Sequence, residues 1–176
     1  MLHIVTGGSG SGKSAYAENE ILRLAGKSDH KKYYIATMEP FGEETLQKIA
    51  RHREMRKNKG FDTIECYVNL KKTARSFTDD PIVLLECMSN LTANEIYRSD
   101  GAGAQTADEI MQGVDVLCDR CSHVVIVTNE VCSECTRDSE DMIRYKQILS
   151  EVNRRMAEKA DYVTEVVYGI PVEVKR

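Results

Sequence analysis

The run Gly7-Gly8-Ser9-Gly10-Ser11-Gly12-Lys13-Ser14 stands between an apolar segment, Leu2–Thr6, and a stretch of helical periodicity, and few short patterns limit a fold so tightly. Strand, glycine-rich loop and helix in this order make a P-loop. The glycines allow backbone conformations that other residues avoid, so N–H groups can turn inward, and the following helix N-terminus adds partial positive charge. Gly7, Gly8, Gly10 and Gly12 supply that freedom, with Ser9 and Ser11 between them. Lys13 is then placed to reach the β- and γ-phosphates of a nucleoside triphosphate, and the Ser14 hydroxyl to ligate Mg²⁺. A glycine-rich turn matching by accident would lack the flanking strand and helix.

The rest of the chain continues the alternation. Strands are expected at Leu2–Thr6, Lys32–Thr37, Thr63–Tyr67, Ile82–Glu86, Val124–Thr128 and Tyr162–Val167, with a last extended piece at Ile170–Val174 around Pro171. Helices are expected from Lys13 to Ala25, Glu43 to Lys57, Thr106 to Cys121 and Glu140 to Lys159. Such alternation implies parallel strands joined by crossover helices. Ile82-Val83-Leu84-Leu85 and Val124-Val125-Ile126-Val127 are continuously apolar, as strands covered on both faces must be. The expectation is an α/β, P-loop NTPase-like fold with a mostly parallel central sheet and helices on both faces. Thr106-x-x-Glu109 has capping-box spacing, and Asp100-Gly101-Ala102-Gly103-Ala104 reads as a flexible loop. No linker or repeat divides the 176 residues, so a single domain, 1–176, is expected.

Two further features bear on chemistry. Glu86 ends an apolar strand, the place from which a carboxylate reaches a P-loop Mg²⁺, so Ser14 and Glu86 form the expected metal pair. The expected helix around Lys48-Ile49-Ala50-Arg51-His52-Arg53-Glu54-Met55-Arg56-Lys57 gathers cations about one histidine. Neighbouring positive charge favours neutral imidazole and attracts polyphosphate, which makes His52 a candidate nucleophile towards phosphorus. A basic helix face is also what a merely solvated surface looks like.

Composition excludes several classes. A formal net charge of -4 gives no overall attraction to nucleic acid or anionic lipid. No apolar run approaches the roughly 20 residues of a membrane span, and the N-terminus lacks an export signal, so the cytoplasm is the expected location. Cys118-x-x-Cys121 and Cys132-x-x-Cys135 superficially spell a zinc site. The strand expected between them holds the pairs about 20 Å apart at roughly 3.3 Å per residue, whereas four thiolates on one zinc each lie about 2.3 Å from it. Reduced thiols are the simpler expectation.

Together these residues resemble the bifunctional adenosylcobinamide kinase/adenosylcobinamide-phosphate guanylyltransferase family. The resemblance runs through Val5-Thr6-Gly7-Gly8, Ser11-Gly12-Lys13-Ser14, Tyr34-Ile35-Ala36-Thr37, Ile49-x-x-His52-x-x-x-Arg56, Ile64-Glu65, Leu84-Leu85-Glu86-Cys87, Val127-Thr128-Asn129-Glu130, Asn153 and Ala160-Asp161. It implies an enzyme of cobalamin biosynthesis, assembled as a homotrimer, that uses ATP or GTP to phosphorylate adenosylcobinamide. It then moves GMP from GTP to adenosylcobinamide phosphate through a guanylyl-histidine. Carried over by position, His52 and Lys13 are catalytic, and nucleotide contacts come from Gly7 to Ser14, Ala36, Thr37, Met38, Arg53, Glu54, Met55, Arg56, Glu65 and Glu86.

The chain departs from that family after Glu130, where Val131-Cys132-Ser133-Glu134-Cys135-Thr136 replaces a glycine-containing stretch ending in Val-Pro. It departs again at Gln147, Ser150 and Arg154, and at Lys57 in place of proline. These positions are expected on the corrinoid-facing or subunit-facing side. Two rivals remain at this point: a P-loop small-molecule kinase without guanylyl transfer, which needs Lys13 but not His52, and a GTP-binding switch. The switch would read guanine with Asn-Lys-x-Asp, and the nearest piece, Asn58-Lys59-Gly60-Phe61, lacks the carboxylate.

Overall fold

The computed structural model describes residues 1–26, 30–131 and 138–176. In chain order the elements are β1 (Leu2–Thr6), α1 (Lys13–Ala25), β2 (Lys32–Ala36), α2 (Gly42–Arg56), β3 (Phe61–Glu65), α3 (Leu70–Arg75) and β4 (Ile82–Glu86). There follow α4 (Met88–Tyr97), a 3₁₀ turn (Gly103–Gln105), α5 (Thr106–Arg120), β5 (His123–Val127), α6 (Glu140–Lys159), β6 (Tyr162–Val167) and β7 (Ile170–Lys175). Seven strands make one sheet in the order β3-β2-β4-β5-β1-β6-β7. Every pairing is parallel except that of β6 with β7, where a tight turn at Tyr168-Gly169 reverses the chain.

Helices cover both faces. On one side α1 packs across β4 and β5, so Ala17, Ile21 and Ala25 meet Tyr34, Leu84, Val125 and Val127. On the other side α3, α4, α5 and α6 close over Ile4, Ile35, Leu85 and Ile126. The apolar residues of β4 and β5 are fully buried, which is why their sequence lacks alternation. Helix α2 differs: among its residues only Arg56 is buried, so it lies on the molecule rather than in it.

Four local expectations need correction. Strand β3 begins at Phe61, two residues before the expected Thr63, because Gly60 at φ 68° turns the chain directly beside Lys32 of β2. Thr106 is not a cap: it is the first residue of α5, fully buried, with its hydroxyl donating back to the Gly103 carbonyl at 2.8 Å. The 100–104 segment is pinned, since Glu95, 3% exposed, accepts the Ala102 N–H at 2.8 Å and the Asn69 N–H at 2.6 Å. Helices α3 and α4 were not expected. Of the cysteine pairs, Cys118 and Cys121 are free thiols, with burial pushing Cys121 up to about 12, and Cys132 and Cys135 lie outside the described residues.

Candidate active site

The sheet brings the P-loop and Glu86 to one edge. Val127 of β5 pairs with Val5 on one side and Glu86 on the other, so the end of β1 and the end of β4 stand level, two strand spacings or about 10 Å apart. Ligands of open α/β sheets bind in this crevice beyond the carboxyl ends of the strands. The P-loop backbone has the required conformations: Gly7 has φ 147° and Gly12 φ 93°. A Cβ on Gly7 would sit 2.5 Å from the Val166 carbonyl oxygen, so the loop also needs glycine for its fit against β6.

Side chains close the gap across β5. The Ser14 hydroxyl donates to Oε1 of Glu86, and the Tyr34 hydroxyl donates to Oε2 at 3.2 Å. Burial, and then the Glu86 charge, push the Tyr34 phenol far above its ordinary value, so it remains a donor at any physiological pH. Lys13 is 8% exposed and donates to the Gly8 carbonyl at 2.9 Å. Burial lowers its pKa, opposed by Cys87 and Glu86. A cation held in a dry site with one neutral partner is poised to exchange it for phosphate oxygens.

Helix α2 carries His52 over this crevice. Its Nδ1 is buried without a hydrogen-bond partner and lies 3.7 Å from Glu86 Oε1. The side chain keeps 24% exposure, which leaves the opposite edge of the ring, carrying Nε2, towards solvent and the clefts. The C-terminal end of α2 is held by Arg56, whose guanidinium carbon stacks 3.4 Å from the Tyr34 ring centre and whose Nη1 has no partner. A buried guanidinium with a free N–H is a ready anion contact.

Two clefts meet at His52. One runs along the P-loop from Ser9 to Ser14 and is completed by Lys48, Arg51, Met55 and Asn129. The other is more apolar, lined by Tyr34, Ala36, Pro40, Leu46, Ile49 and Tyr67 with Arg53, Arg56 and Glu65 at its polar rim. Met38, His52, Glu86, Cys87 and Asn90 line both.

Of the residues expected in the site, the fold gathers Ser9 to Ser14, Ala36, Met38, His52, Arg53, Met55, Arg56, Glu65 and Glu86 along these clefts. Four stand elsewhere, among them Gly8, whose carbonyl accepts from Lys13 at 2.9 Å. Thr37 is fully buried, its hydroxyl donating to the Cys87 carbonyl at 2.8 Å and accepting the Cys87 N–H at 2.7 Å, a bridge from β2 to β4. Glu54 is exposed, 3.7 Å from Lys57, and Gly7 is packed beneath the loop. Sequence reasoning missed Tyr34 and, above all, Glu18 of α1, fully buried with Lys59 Nζ 2.5 Å from its Oε2. A signal existed: Glu18 follows Ser14 by one helical turn and interrupts the apolar stripe of Ala17, Ile21 and Ala25.

Residues 3–174 match the family described as cobinamide kinase / cobinamide phosphate guanyltransferase. The bifunctional adenosylcobalamin biosynthesis protein CobU of Salmonella typhimurium is 34% identical over 188 residues, covering 99% of this chain and 100% of that protein. The Escherichia coli protein of the same name is 32% identical over 187 residues, with 99% and 100% covered. CobP of Pseudomonas aeruginosa, also described as bifunctional, is 28% identical, with 99% and 98% covered. Among solved structures, a KaiC-like protein from Pyrococcus horikoshii superposes with TM-score 0.51 at 12% identity, covering 93% of this chain and 69% of that one. The flagellar accessory protein FlaH from Methanocaldococcus jannaschii gives 0.52 at 12%, covering 99% and 77%. These likenesses show the P-loop NTPase-like fold.

Proposed function

The chain belongs to the cobinamide kinase / cobinamide phosphate guanyltransferase family, and from that premise we propose how its own residues carry the two reactions. It is a kinase and nucleotidyltransferase of cobalamin biosynthesis. The observation that carries the assignment of roles is His52 standing at the junction of the two clefts. A nucleotide with its β- and γ-phosphates on the P-loop and its nucleoside in the apolar cleft spans that junction with its α-phosphate. His52 therefore faces the one phosphorus at which GMP is transferred.

Lys13 and the P-loop N–H groups from Gly8 to Ser14 hold the β- and γ-phosphates of GTP or ATP, and Gly7 shapes the turn. Arg53 and Arg56 meet the α-phosphate side, Ala36, Met38 and Glu65 line the nucleoside, and Met55 borders the phosphates. The Ser14 hydroxyl and Glu86 carboxylate already meet, and both are the oxygen donors that Mg²⁺ prefers, so the pair fits that ion. When bound, Mg²⁺ neutralises charge on the phosphate oxygens.

In guanylyl transfer the Nε2 lone pair of His52 attacks the α-phosphorus of GTP. A P–N bond forms as the bond to the β-phosphate oxygen breaks, and pyrophosphate leaves with that electron pair. A phosphate oxygen of adenosylcobinamide phosphate then attacks the same phosphorus, and the P–N electrons return to the imidazole. In the kinase step the hydroxyl oxygen of adenosylcobinamide attacks the γ-phosphorus of the triphosphate; the bond to the β–γ bridging oxygen breaks, the nucleoside diphosphate leaves with that electron pair, and the hydroxyl proton passes to water. Neither step calls for nucleic acid, and none of the helices among the described residues is long and apolar enough to cross a membrane. We place both reactions in the cytoplasm, on one domain. The homotrimer implied by the resemblance is supported by exposed apolar residues on the edge strand β7 and the turn before it, with Tyr168 94% and Ile170 66% exposed beside Val172 and Val174.

The test uses GTP labelled at the α-phosphate, with no corrinoid present. The protein is expected to gain one GMP, stable to alkali and lost in acid, mapping to His52, and His52→Asn is expected to bind GTP without labelling. Label retained by His52→Asn sinks the assignment. So does wild-type protein that never labels yet phosphorylates adenosylcobinamide, which would leave a kinase alone.

A further inference from the structure

We propose that Glu18 is the positioning residue for His52: its buried carboxylate holds the proton on Nδ1 of the imidazole and thereby presents Nε2 as the nucleophile. The inference rests on the guanylyl-histidine reading and adds to it a residue of α1 outside every motif quoted above.

The geometry has three parts. First, Glu18, His52 and Glu86 converge, each offering an atom within 4.8 Å of the others. Second, Glu18 is fully buried with Oε2 taken by Lys59, while Oε1 has no hydrogen-bond partner. Third, His52 Nδ1 is buried and without a hydrogen-bond partner, on the side of the ring that faces Glu86. An unpaired carboxylate oxygen and an unpaired ring nitrogen each carry a desolvation cost that a hydrogen bond between them removes. With the three side chains this close, a side-chain rotation or one bridging water joins the two.

Glu86 is the nearer carboxylate, 3.7 Å from Nδ1, but its Oε1 already accepts from Ser14 and its Oε2 from Tyr34, and the proposed Mg²⁺ contact draws on the same oxygens. Glu18 Oε1 accepts from no donor. The choice of nitrogen follows, because the bond made by one ring nitrogen fixes the tautomer and leaves the other free to react. As the P–N bond forms, the ring becomes more positive, and a carboxylate at Nδ1 steadies that charge.

The cations around the cluster argue against reading it as a metal centre. Lys59 lies 2.5 Å from Glu18, Arg56 stacks on the tyrosine that donates to Glu86, and Lys13 approaches from the P-loop. Two carboxylates with three cations nearby hold no surplus negative charge for a divalent ion between Glu18 and His52; Mg²⁺ at Ser14 and Glu86 would come with the charge of the nucleotide's phosphates. Lys59 has its own part: it follows α2 by three residues, so its pair with Glu18 ties the end of the histidine-bearing helix to α1.

The test compares wild type, Glu18→Gln and Lys59→Met by two readouts. Two-bond ¹H–¹⁵N spectra of histidine-labelled protein without nucleotide, at a pH where imidazole is neutral, report the tautomer directly. Wild type is expected to carry the His52 proton on Nδ1, and Glu18→Gln to move it at least in part to Nε2. Single-turnover labelling with GTP is expected to slow on the order of 100-fold in Glu18→Gln, a usual share for a proton-holding group. GTP affinity should change less than about threefold, since Glu18 faces the histidine rather than the phosphates. Lys59→Met is expected to keep the wild-type tautomer. If Glu18→Gln does not fold, Glu18→Asp, with its carboxylate withdrawn by one methylene, is expected to show the same tautomer change in part. An unchanged tautomer in the Glu18 variant overturns the proposal, as does a Lys59→Met protein reproducing its full effect on both readouts, because anchoring would then be the whole role. The spectra need no turnover, so they decide this question even if wild-type protein never labels.

Discussion

Replacing Lys13 by Met separates what the P-loop lysine does for the nucleotide from what it does for the fold. Burial lowers the Lys13 pKa despite the opposing influence of Cys87 and Glu86, so the folded protein disfavours the ammonium relative to the unfolded chain. The aliphatic stem packs and the charge is a net burden, which Met keeps and removes respectively. The nucleotide-free variant is therefore expected to melt no lower than wild type. Binding should respond oppositely. Hydrogen bonds from a cation to phosphate contribute about 1.5–3 kcal/mol each, and two of them, to the β- and γ-phosphates, give roughly 3–6 kcal/mol, or about 10²–10⁴ in Kd. At a hundredfold excess over Kd a ligand stabilises by about 2.7 kcal/mol, which in a chain of this size raises Tm by about 5–11 °C. Titration calorimetry and thermal melts with GTP should show that rise in wild type and lose it in Lys13→Met. A variant with an unchanged GTP-induced rise, or one melting several degrees lower without nucleotide, would refute the reasoning.

Three further outcomes follow from packing and charge. Gly113→Ala puts a Cβ 2.8 Å from Leu70 Cβ and 3.0 Å from the Lys71 N, which forces α3 off α5; a cost of about 1–3 kcal/mol, or a Tm lower by roughly 2–12 °C, is expected with GTP affinity unchanged, and an unaltered melt would contradict the contact. Tyr34→Phe keeps the ring under Arg56 but takes a donor from Glu86, for a loss of about 1.5 kcal/mol in urea unfolding; equal stability would show that the bond contributes nothing. Burial holds the His3 imidazole below its ordinary value against the pull of Glu20, so the unfolded chain binds the proton first and stability should fall as pH drops below about 6.5, towards the lower folded value; His3→Gln should flatten that slope, and an equal slope in both proteins would assign it elsewhere.

Elements with strong periodicity or strict punctuation were legible in the sequence. Helices α1 and α6 run from Lys13 to Ala25 and Glu140 to Lys159, as expected, because one follows the P-loop and the other has an apolar stripe of Leu149, Val152 and Met156 over about two turns. Strands β4 and β5 declared themselves as unbroken apolar runs. What escaped was local structure fixed from a distance. Helix α3 has six residues, too short to show a period, and α4 starts directly after Cys87 without a side-chain cap. The 100–104 segment has a loop's composition, but Glu95, buried seven residues away from Ala102, fastens it. Thr106 has a cap's spacing, but the preceding 3₁₀ turn already supplies the carbonyl that its hydroxyl seeks.

The candidate site divides along the same physical line. Residues that must meet phosphate are set by backbone conformation and a short motif, so Gly7 to Ser14 could be read directly, and Glu86 could be placed as the terminus of an apolar strand. His52 was a charged-helix residue among others until the resemblance singled it out, and its burial shows what the sequence hid: one edge of the ring is turned into the protein. The partners on that side come from elements far apart in sequence, Glu18 on α1, Lys59 after α2 and Glu86 at the end of β4, and only the crossover of α1 beneath β4 and β5 brings them together. Helix α2 itself buries one residue, so its position depends on end contacts, Arg56 on Tyr34 and Lys59 on Glu18, more than on an apolar face. Such a helix has few buried contacts to lose, and regions of that kind open at lower free energy than a core. Its amides should exchange faster than those of α1 in the free protein and slow when GTP fills both clefts, because the nucleotide supplies the packing that the sequence of α2 leaves out.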